Sequence, residues 1–287
     1  MRTVCTVADL RAALAPVRAR GEVGLVPTMG AFHAGHRSLM RAARERCATV
    51  VVSLFVNPLQ FAPAEDLAGY PRDEALDAEQ ARVEGVDVLF VPSPAEVYPD
   101  GFSTTVTVAG LTDVLEGAGR GAAHFAGVTT VVAKLLNMAR PDVAFFGQKD
   151  AQQALVVRRM AADLDFGVEI AVCPTVREPD GLALSSRNAY LSAQERSRAV
   201  ALRRALEAAE GELARGVRDA ARLRAAGLAA MRPYAIEPEY LELVCAGTLA
   251  PVRELDGRSV LMAVAARVGR ARLIDNVLLS AVPNQEP

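Results

Sequence analysis

GLVPTMGAFHAGH, Gly24–His36, reads as a buried strand, a glycine turn and the opening of a helix. Gly24-Leu-Val-Pro27 is a short apolar run that ends at Thr28-Met-Gly30. From His36 to Cys47 the apolar positions Leu39, Met40, Ala43 and Cys47 fall at helical spacing. A strand feeding a helix in this way predicts free backbone N–H groups and a positive dipole end at the junction, and both attract phosphate. Gly30 and Gly35 allow close backbone approach. His33 and His36 share one helical face and can aim imidazole N–H groups at the same anion. The alternative is a pair of structural histidines with no ligand. An H-x-G-H placed directly after a strand favours nucleotide phosphate over that alternative. Zinc would need a third protein ligand. His124 could supply one, but no Cys or carboxylate spacing assists it.

Outward from this stretch the pattern repeats. Val7–Arg20 before it is charged and helix-like. Thr49–Asn57 (TVVVSLFVN) is β-branched and nearly continuous, as a strand covered on both faces should be. Asp73–Glu84 is helical in composition, Val86–Val91 reads as a third strand, and Ser103–Val108 as a further short one. Thr129–Ala139 reads as a helix, Asp142–Phe146 as a strand ending at Gly147, Ala151–Leu164 as a helix and Val168–Val176 as a strand. Alternating strands and helices predict an α/β fold with a parallel sheet and right-handed crossovers. Ligands then bind beyond the carboxyl ends of strands, which singles out Thr28–His36, Asn57–Phe61, Gly147–Gln153 and Glu178–Asn188. Ser192-Ala-Gln-Glu195 is a capping box opening a long helix to about Ala214. A helix at Ala220–Met231 and strand-like runs at Tyr240–Val244, Val260–Ala265 and Arg272–Leu278 follow. The change of pattern puts a domain boundary near 175–190, and the tail Pro283–Pro287 is expected to fray.

Composition narrows the class. The chain has 287 residues, 51% hydrophobic and 23% charged, enough to bury a core. Its 32 basic and 34 acidic residues exclude a dominant polybasic surface, so bulk nucleic acid is not an expected partner. No apolar run approaches the roughly 18 residues of a membrane span, and the first residues lack the apolar core of a signal peptide. Cys5, Cys47, Cys173 and Cys245 form no CxxC, which fits free thiols in a reducing cytoplasm. Only two of the 32 basic residues are Lys, Lys134 and Lys149.

Gly147-Gln-Lys-Asp150 is a second strand-to-helix turn, and Lys149 gives it a compact ammonium suited to phosphate. An exposed lysine at a helix start is the alternative. Lys134, on an apolar helical stretch, reads as structural or snorkelling. Glu178–Asn188 (EPDGLALSSRN) gathers hydroxyls and a guanidinium as a phosphate clamp would, although helix capping would use the same residues. Asn57-Pro-Leu-Gln60 and Asp150-Ala-Gln-Gln153 place neutral amides beside strand ends, where they suit a hydroxyl-rich acid. Gly117–Ala122 (GAGRGA) matches a relaxed dinucleotide fingerprint but follows no strand, so a loop is expected there.

Taken in succession, LVPTMGAFHAGH, SLFVNPLQF, DLAGYPR, HFAGV, FFGQKDAQQ, DGLALSSRN and ARLIDN resemble the pantoate–β-alanine ligases. That family lies within the nucleotidyltransferases that carry H-x-G-H and a KMSKS-like loop. The resemblance spans almost the whole chain; Phe32 and Ala34 are mild departures. It implies a Rossmann-like ATP- and pantoate-binding domain at 1–177, a smaller α+β lid at 178–287, and a homodimer. It also implies that Met29, Gly30, Ala31, Phe32, His33, Ala34, Gly35 and His36 line the ATP site, with His36 the proton donor. Gly147, Gln148, Lys149 and Asp150 would contact ATP, with Lys149 on the phosphates. Val176 would meet the adenine side, and Leu184, Ser185, Ser186 and Arg187 the phosphates. Gln60 would contact pantoate and β-alanine, Gln153 would hold pantoate, and Asp77 is a candidate near Mg²⁺.

The implied reaction has two steps. Pantoate attacks the α-phosphorus of ATP, giving pantoyl adenylate and pyrophosphate, and β-alanine then displaces AMP. His33, His36, Lys149, Ser185, Ser186 and Arg187 would align the phosphates and neutralise the leaving charge. Rival readings are another nucleotidyltransferase, such as a phosphopantetheine adenylyltransferase or a piece of an aminoacyl-tRNA synthetase, and a non-catalytic nucleotide-binding regulator. The balanced charge and small C-terminal domain oppose tRNA, and the amides oppose a nucleotide acceptor. A silent site would not need to keep His33, His36, Lys149 and the Ser-Ser-Arg loop together.

Overall fold

Apolar strands too short to stand alone pair into one sheet in the first part of the chain. The computed structural model describes residues 1–61 and 73–280. DLAGYPR (residues 66–72) and the tail 283–287 lie outside the described residues. The strands are β1 (Arg2–Val4), β2 (Val23–Thr28), β3 (Thr49–Leu54), β4 (Val88–Phe90), β5 (Val143–Gly147) and β6 (Glu169–Cys173). All pair in parallel, in the spatial order β1-β4-β3-β2-β5-β6. From β2 the chain steps outward through β3 to β4, then crosses back to lay β5 on the other edge of β2. The direction of winding therefore changes between β2 and β5, and the crevice beyond their carboxyl ends is the switch point at which such sheets bind ligands.

Helices α1 (Val7–Leu14), α2 (Ala34–Arg46), α3 (Glu74–Val83), α4 (Pro94–Val97), α5 (Glu116–Arg120), α6 (Ala122–Ala139) and α7 (Ala151–Asp163) complete this unit, Met1–Pro174. Successive strand residues point to opposite faces. Leu25, Val51, Ala144 and Phe146 pack in one layer with α1, α6 and α7. Val26, Val50, Val52 and Phe145 pack in the other with Leu39, Met40 and Ala43 of α2. That double cover is why Thr49–Asn57 shows no alternation.

The second unit begins at Thr175. Helices α8 (Ala193–Ala199), α9 (Ala201–Ala214) and α10 (Ala220–Met231) accompany an antiparallel sheet of β7 (Pro238–Cys245), β8 (Val260–Val268) and β9 (Ala271–Leu279), in that order. Leu202 and Leu206 of α9 and Leu223 of α10 share one buried cluster with Met262, Val264 and Ala266 of β8. The Ser192 capping box is present: Glu195 N–H donates to Ser192 Oγ at 3.3 Å, and Ser192 N–H to Glu195 Oε2 at 2.8 Å.

Five local expectations change, the first being that the long helix expected from Ser192 to about Ala214 divides at Val200 into α8 and α9. Ser103–Val108 is no strand, because side-chain hydroxyls replace its ladder: Val106 N–H donates to Thr130 Oγ1 at 3.0 Å and Thr129 Oγ1 donates to Val106 O at 2.5 Å. α6 begins at Ala122, not Thr129, since its buried face runs on through Phe125 and Val128. α1 stops at Leu14, just before Pro16, which has no N–H to continue it. Residues 116–120 form a short helix instead of a loop, and a Cβ on Gly117 would collide with the Thr112 carbonyl.

Arg177 ties the start of the second unit to β9. Its guanidinium grips Asp275 with both terminal nitrogens, at 2.6 and 2.9 Å, and donates to Gly181 O at 3.0 Å. Asp275 is only 3% exposed. Asp275→Ala would leave a partly buried guanidinium without its counter-charge, and urea unfolding should show a loss of about 3 kcal/mol. A loss indistinguishable from zero would mean that solvent or another acceptor replaces the carboxylate.

Candidate active site

The turn after β2 is held by the chain's own hydrogen bonds. Thr28 Oγ1 donates to Ser53 O at 2.6 Å, closing the end of the strand onto β3. Gly30 (φ 89°) and Ala31 (φ 52°) then turn through the left-handed region. A Cβ on Gly30 would lie 2.7 Å from Leu54 Cδ1 and 2.8 Å from Asp77 Oδ2, so glycine is required twice over. Ala31 N–H and Phe32 N–H both donate to the Asp77 carboxylate, at 2.9 and 2.8 Å.

His33 is the N-cap of α2. Gly35 N–H donates to His33 Nδ1 at 3.1 Å, and His33 N–H donates to His36 Nδ1 at 3.4 Å. A backbone N–H can only donate, so both Nδ1 atoms accept and each neutral ring carries its proton on Nε2. The rings lie 4.1 Å apart. Burial, then the Lys149 charge, lowers the His33 pKa to about 4 against an opposing effect of Asp150. Burial, then His33 and Lys149, lowers that of His36 to about 3, again against Asp150. At neutral pH the pair offers two uncharged N–H donors. The junction differs from the sequence expectation: the N–H groups of Ala31, Phe32, His33 and Gly35 are spent within the loop, which shifts anion recognition toward side chains.

Lys149 supplies the cation. It lies in a 3₁₀ turn, Gln148–Asp150, between β5 and α7. Because β5 pairs with β2, this turn and the histidine turn share the switch point. The Lys149 side chain is 17% exposed, with Nζ 3.4 Å from Asp150 Oδ1. Its charge acts on both histidines.

The amides divide into scaffold and free groups. Gln152 donates to Leu111 O and Val114 O at 2.7 and 2.8 Å and accepts from Glu116 N–H at 2.9 Å, so it is consumed holding that loop. The half-buried Gln153 side chain has no hydrogen-bond partner among the described residues. Asn57 is buried; it accepts from Leu59 N–H and the Tyr98 hydroxyl and donates to Gly127 O and Gln60 Oε1. Gln60 Nε2 reaches Met29 Sδ at 2.9 Å, linking the β3 and β2 turns. α6 clamps the Gln60 turn. His124 Nδ1 donates to Gln60 O at 2.8 Å, and a Cβ on Gly127 would strike Leu59 O. Sequence reading missed Tyr98, His124 and Gly127 as supports of Gln60; the H-x-x-G spacing within HFAGV was the available signal. Lys134 Nζ lies 4.6 Å over the Phe102 ring, an aromatic seat that accounts for its place on an apolar helix.

In the second unit, Val176 and Leu184 are joined by a 3.0 Å backbone bond that closes the hairpin leading to Ser185. Ser185 Oγ accepts from Arg187 N–H at 3.2 Å, capping the 3₁₀ turn Ser186–Tyr190. Asn188 Nδ2 donates to Ala183 O at 3.1 Å, while its buried Oδ1 has no partner among the described residues. On this loop the structure shows the capping role of Ser185.

A protein-built Mg²⁺ site is not supported. Among the described residues no group of three or more His, Cys, Asp or Glu side chains could hold a metal ion. Asp77, the sequence candidate, already gives both oxygens to backbone N–H groups.

The family model described as Pantoate-beta-alanine ligase matches residues 2–278. A pantothenate synthetase from Moorella thermoacetica is 50% identical over 97% of this chain and 99% of its own length. The solved pantothenate synthetase of Thermus thermophilus superposes with a TM-score of 0.92 at 49% identity, covering 99% of this chain and 100% of that one. A ligase from Francisella tularensis, solved with β-γ ATP and β-alanine, gives 0.78 at 32% identity over 97% of each chain.

The histidine geometry is directly measurable. Nitrogen-15 spectra of the imidazoles should show His33 and His36 as neutral Nε2–H tautomers at pH 7, with neither titrating until the pH falls below about 5. Since unfolded histidines protonate near pH 6.5, their contribution to stability is complete above that pH and is lost as pH falls toward about 4 for His33 and about 3 for His36. An imidazolium signal from either ring at pH 6.5 would contradict the capping geometry.

Proposed function

The chain belongs to the pantoate–β-alanine ligase family, and on that premise we propose that it joins pantoate and β-alanine through a pantoyl adenylate, consuming ATP. The observation that carries this reading is the pair of neutral Nε2–H donors beside Lys149 at the switch point of the sheet. In the first step a pantoate carboxylate oxygen attacks the α-phosphorus. The bond from the α-phosphorus to the bridging oxygen breaks, and pyrophosphate leaves with the electron pair. In the second step the free amine of β-alanine attacks the acyl carbon, the bond to the AMP oxygen breaks, and the amine proton passes to solvent.

A carboxylate is already a competent nucleophile at neutral pH, so the protein's task is alignment and charge neutralisation. His33 and His36 donate to phosphate oxygens without adding charge, and Lys149 neutralises the developing pyrophosphate. Met29–His36 and Gly147–Asp150 line the ATP site. Gln153, whose amide has no partner among the described residues, holds pantoate, and Gln60 meets pantoate and β-alanine from its clamped turn. Residues 178–287 act as a lid in this reading, with Val176 on the adenine side and Leu184, Ser185, Ser186 and Arg187 as phosphate ligands. A neutral His36 donates a hydrogen bond instead of transferring its proton outright. Any Mg²⁺ required arrives on the nucleotide phosphates, since the described residues build no cage for it. A cytoplasmic homodimer completes the proposal.

Labelled pyrophosphate should exchange into ATP when pantoate is present and β-alanine is absent. Exchange that requires β-alanine would rule out the two-step order.

Lys149→Arg should cost nearly as much kcat as Lys149→Ala, on the order of 10²-fold, because a planar fork displaces phosphate oxygens that a compact ammonium fits between. Lys134→Arg, which keeps a cation over Phe102, should be close to neutral. Near-normal kcat for Lys149→Arg would show that charge alone suffices.

A further inference from the structure

Asp77 stands in the first turn of α3 with only 2% of its surface exposed. Its two oxygens take consecutive backbone N–H groups, those of Ala31 and Phe32. These bonds hold the chain where it is least comfortable, since Ala31 has φ 52° and Gly30 φ 89°. A left-handed alanine is a strained conformation for a residue with a Cβ, and two charge-assisted bonds to one buried carboxylate offset that strain. The same carboxylate would lie against any Cβ at residue 30. Directly downstream, His33 and His36 acquire their orientation from the same loop. An acceptor already committed to two N–H groups is poorly placed to ligate a cation, and among the described residues it belongs to no group of three or more His, Cys, Asp or Glu side chains that could hold a metal ion.

We propose that Asp77 is a positioning residue for the nucleotide loop and not a metal ligand: its carboxylate fixes the turn at Gly30–Phe32 and so aims the two histidines. The proposal rests on the nucleotide-binding reading of that loop, but its central test needs no substrate. In ligand-free wild-type protein the Ala31 and Phe32 amide protons should resonate downfield and exchange slowly, and millimolar Mg²⁺ alone should leave both unchanged. In Asp77→Asn one acceptor becomes an NH₂ facing an N–H donor, so at least one of these amides should move upfield and exchange faster. With saturating Mg²⁺, kcat/KM for ATP should then fall on the order of 10²-fold. The KM for β-alanine and the Mg²⁺ concentration giving half-maximal rate should stay at their wild-type values. Rescue of Asp77→Asn by excess Mg²⁺, or Mg²⁺-induced shifts of the two wild-type amides, would overturn the proposal. If Asp77→Asn does not fold, the wild-type amides decide alone. Missing adenylation activity with protected amides would count against the reaction and not against the strut.

Discussion

β2 is hydrogen-bonded on both edges, to β3 and to β5, and the site depends on that constraint. A strand paired on both sides and covered on both faces cannot shift its register without exposing apolar side chains or stranding backbone polar groups. Its carboxyl end is therefore a fixed point. The chain leaves it toward α2 carrying two histidines, and its neighbour β5 ends beside it carrying Lys149. Residues more than a hundred positions apart in the sequence meet because two parallel strands stop at the same level.

Burial then divides the electrostatic work. The low-dielectric pocket and the lysine charge keep both imidazoles neutral, so they bind through directed N–H groups. Lys149 remains the cation at the centre of this arrangement. Placing three positive charges within one small crevice would repel before any nucleotide entered. Neutral donors avoid that cost and still complement charge that grows on phosphate oxygens.

The supporting amides follow a similar division. Asn57 and Gln152 are buried and fully occupied with backbone and neighbouring side chains, which makes them framework. Gln60 rests on Met29 and a turn clamped by His124, while Gln153 stays uncommitted among the described residues. Framework amides leave the others rigidly presented, and rigid presentation is what a positioning mechanism requires.

H-x-G-H, Gly147–Asp150 and the β-branched run at Thr49 were legible because each is a local pattern with a local cause: helix capping, a strand-to-helix turn, or cover on two faces. Those patterns determined the parallel α/β architecture, the succession of motifs that marks the family, and which loops follow strands. They could not show that Gln152 is framework while Gln153 has no partner among the described residues, since adjacent amides look alike until their partners are known. Nor could they reveal that the Ala31 and Phe32 N–H groups belong to Asp77, which lies on another helix. Ser103–Val108 has the composition of a strand, yet Thr129 and Thr130 take its backbone groups. Periodicity records which side a residue turns toward the core. Which donor meets which acceptor depends on segments far apart in the chain, and only the tertiary structure decided it.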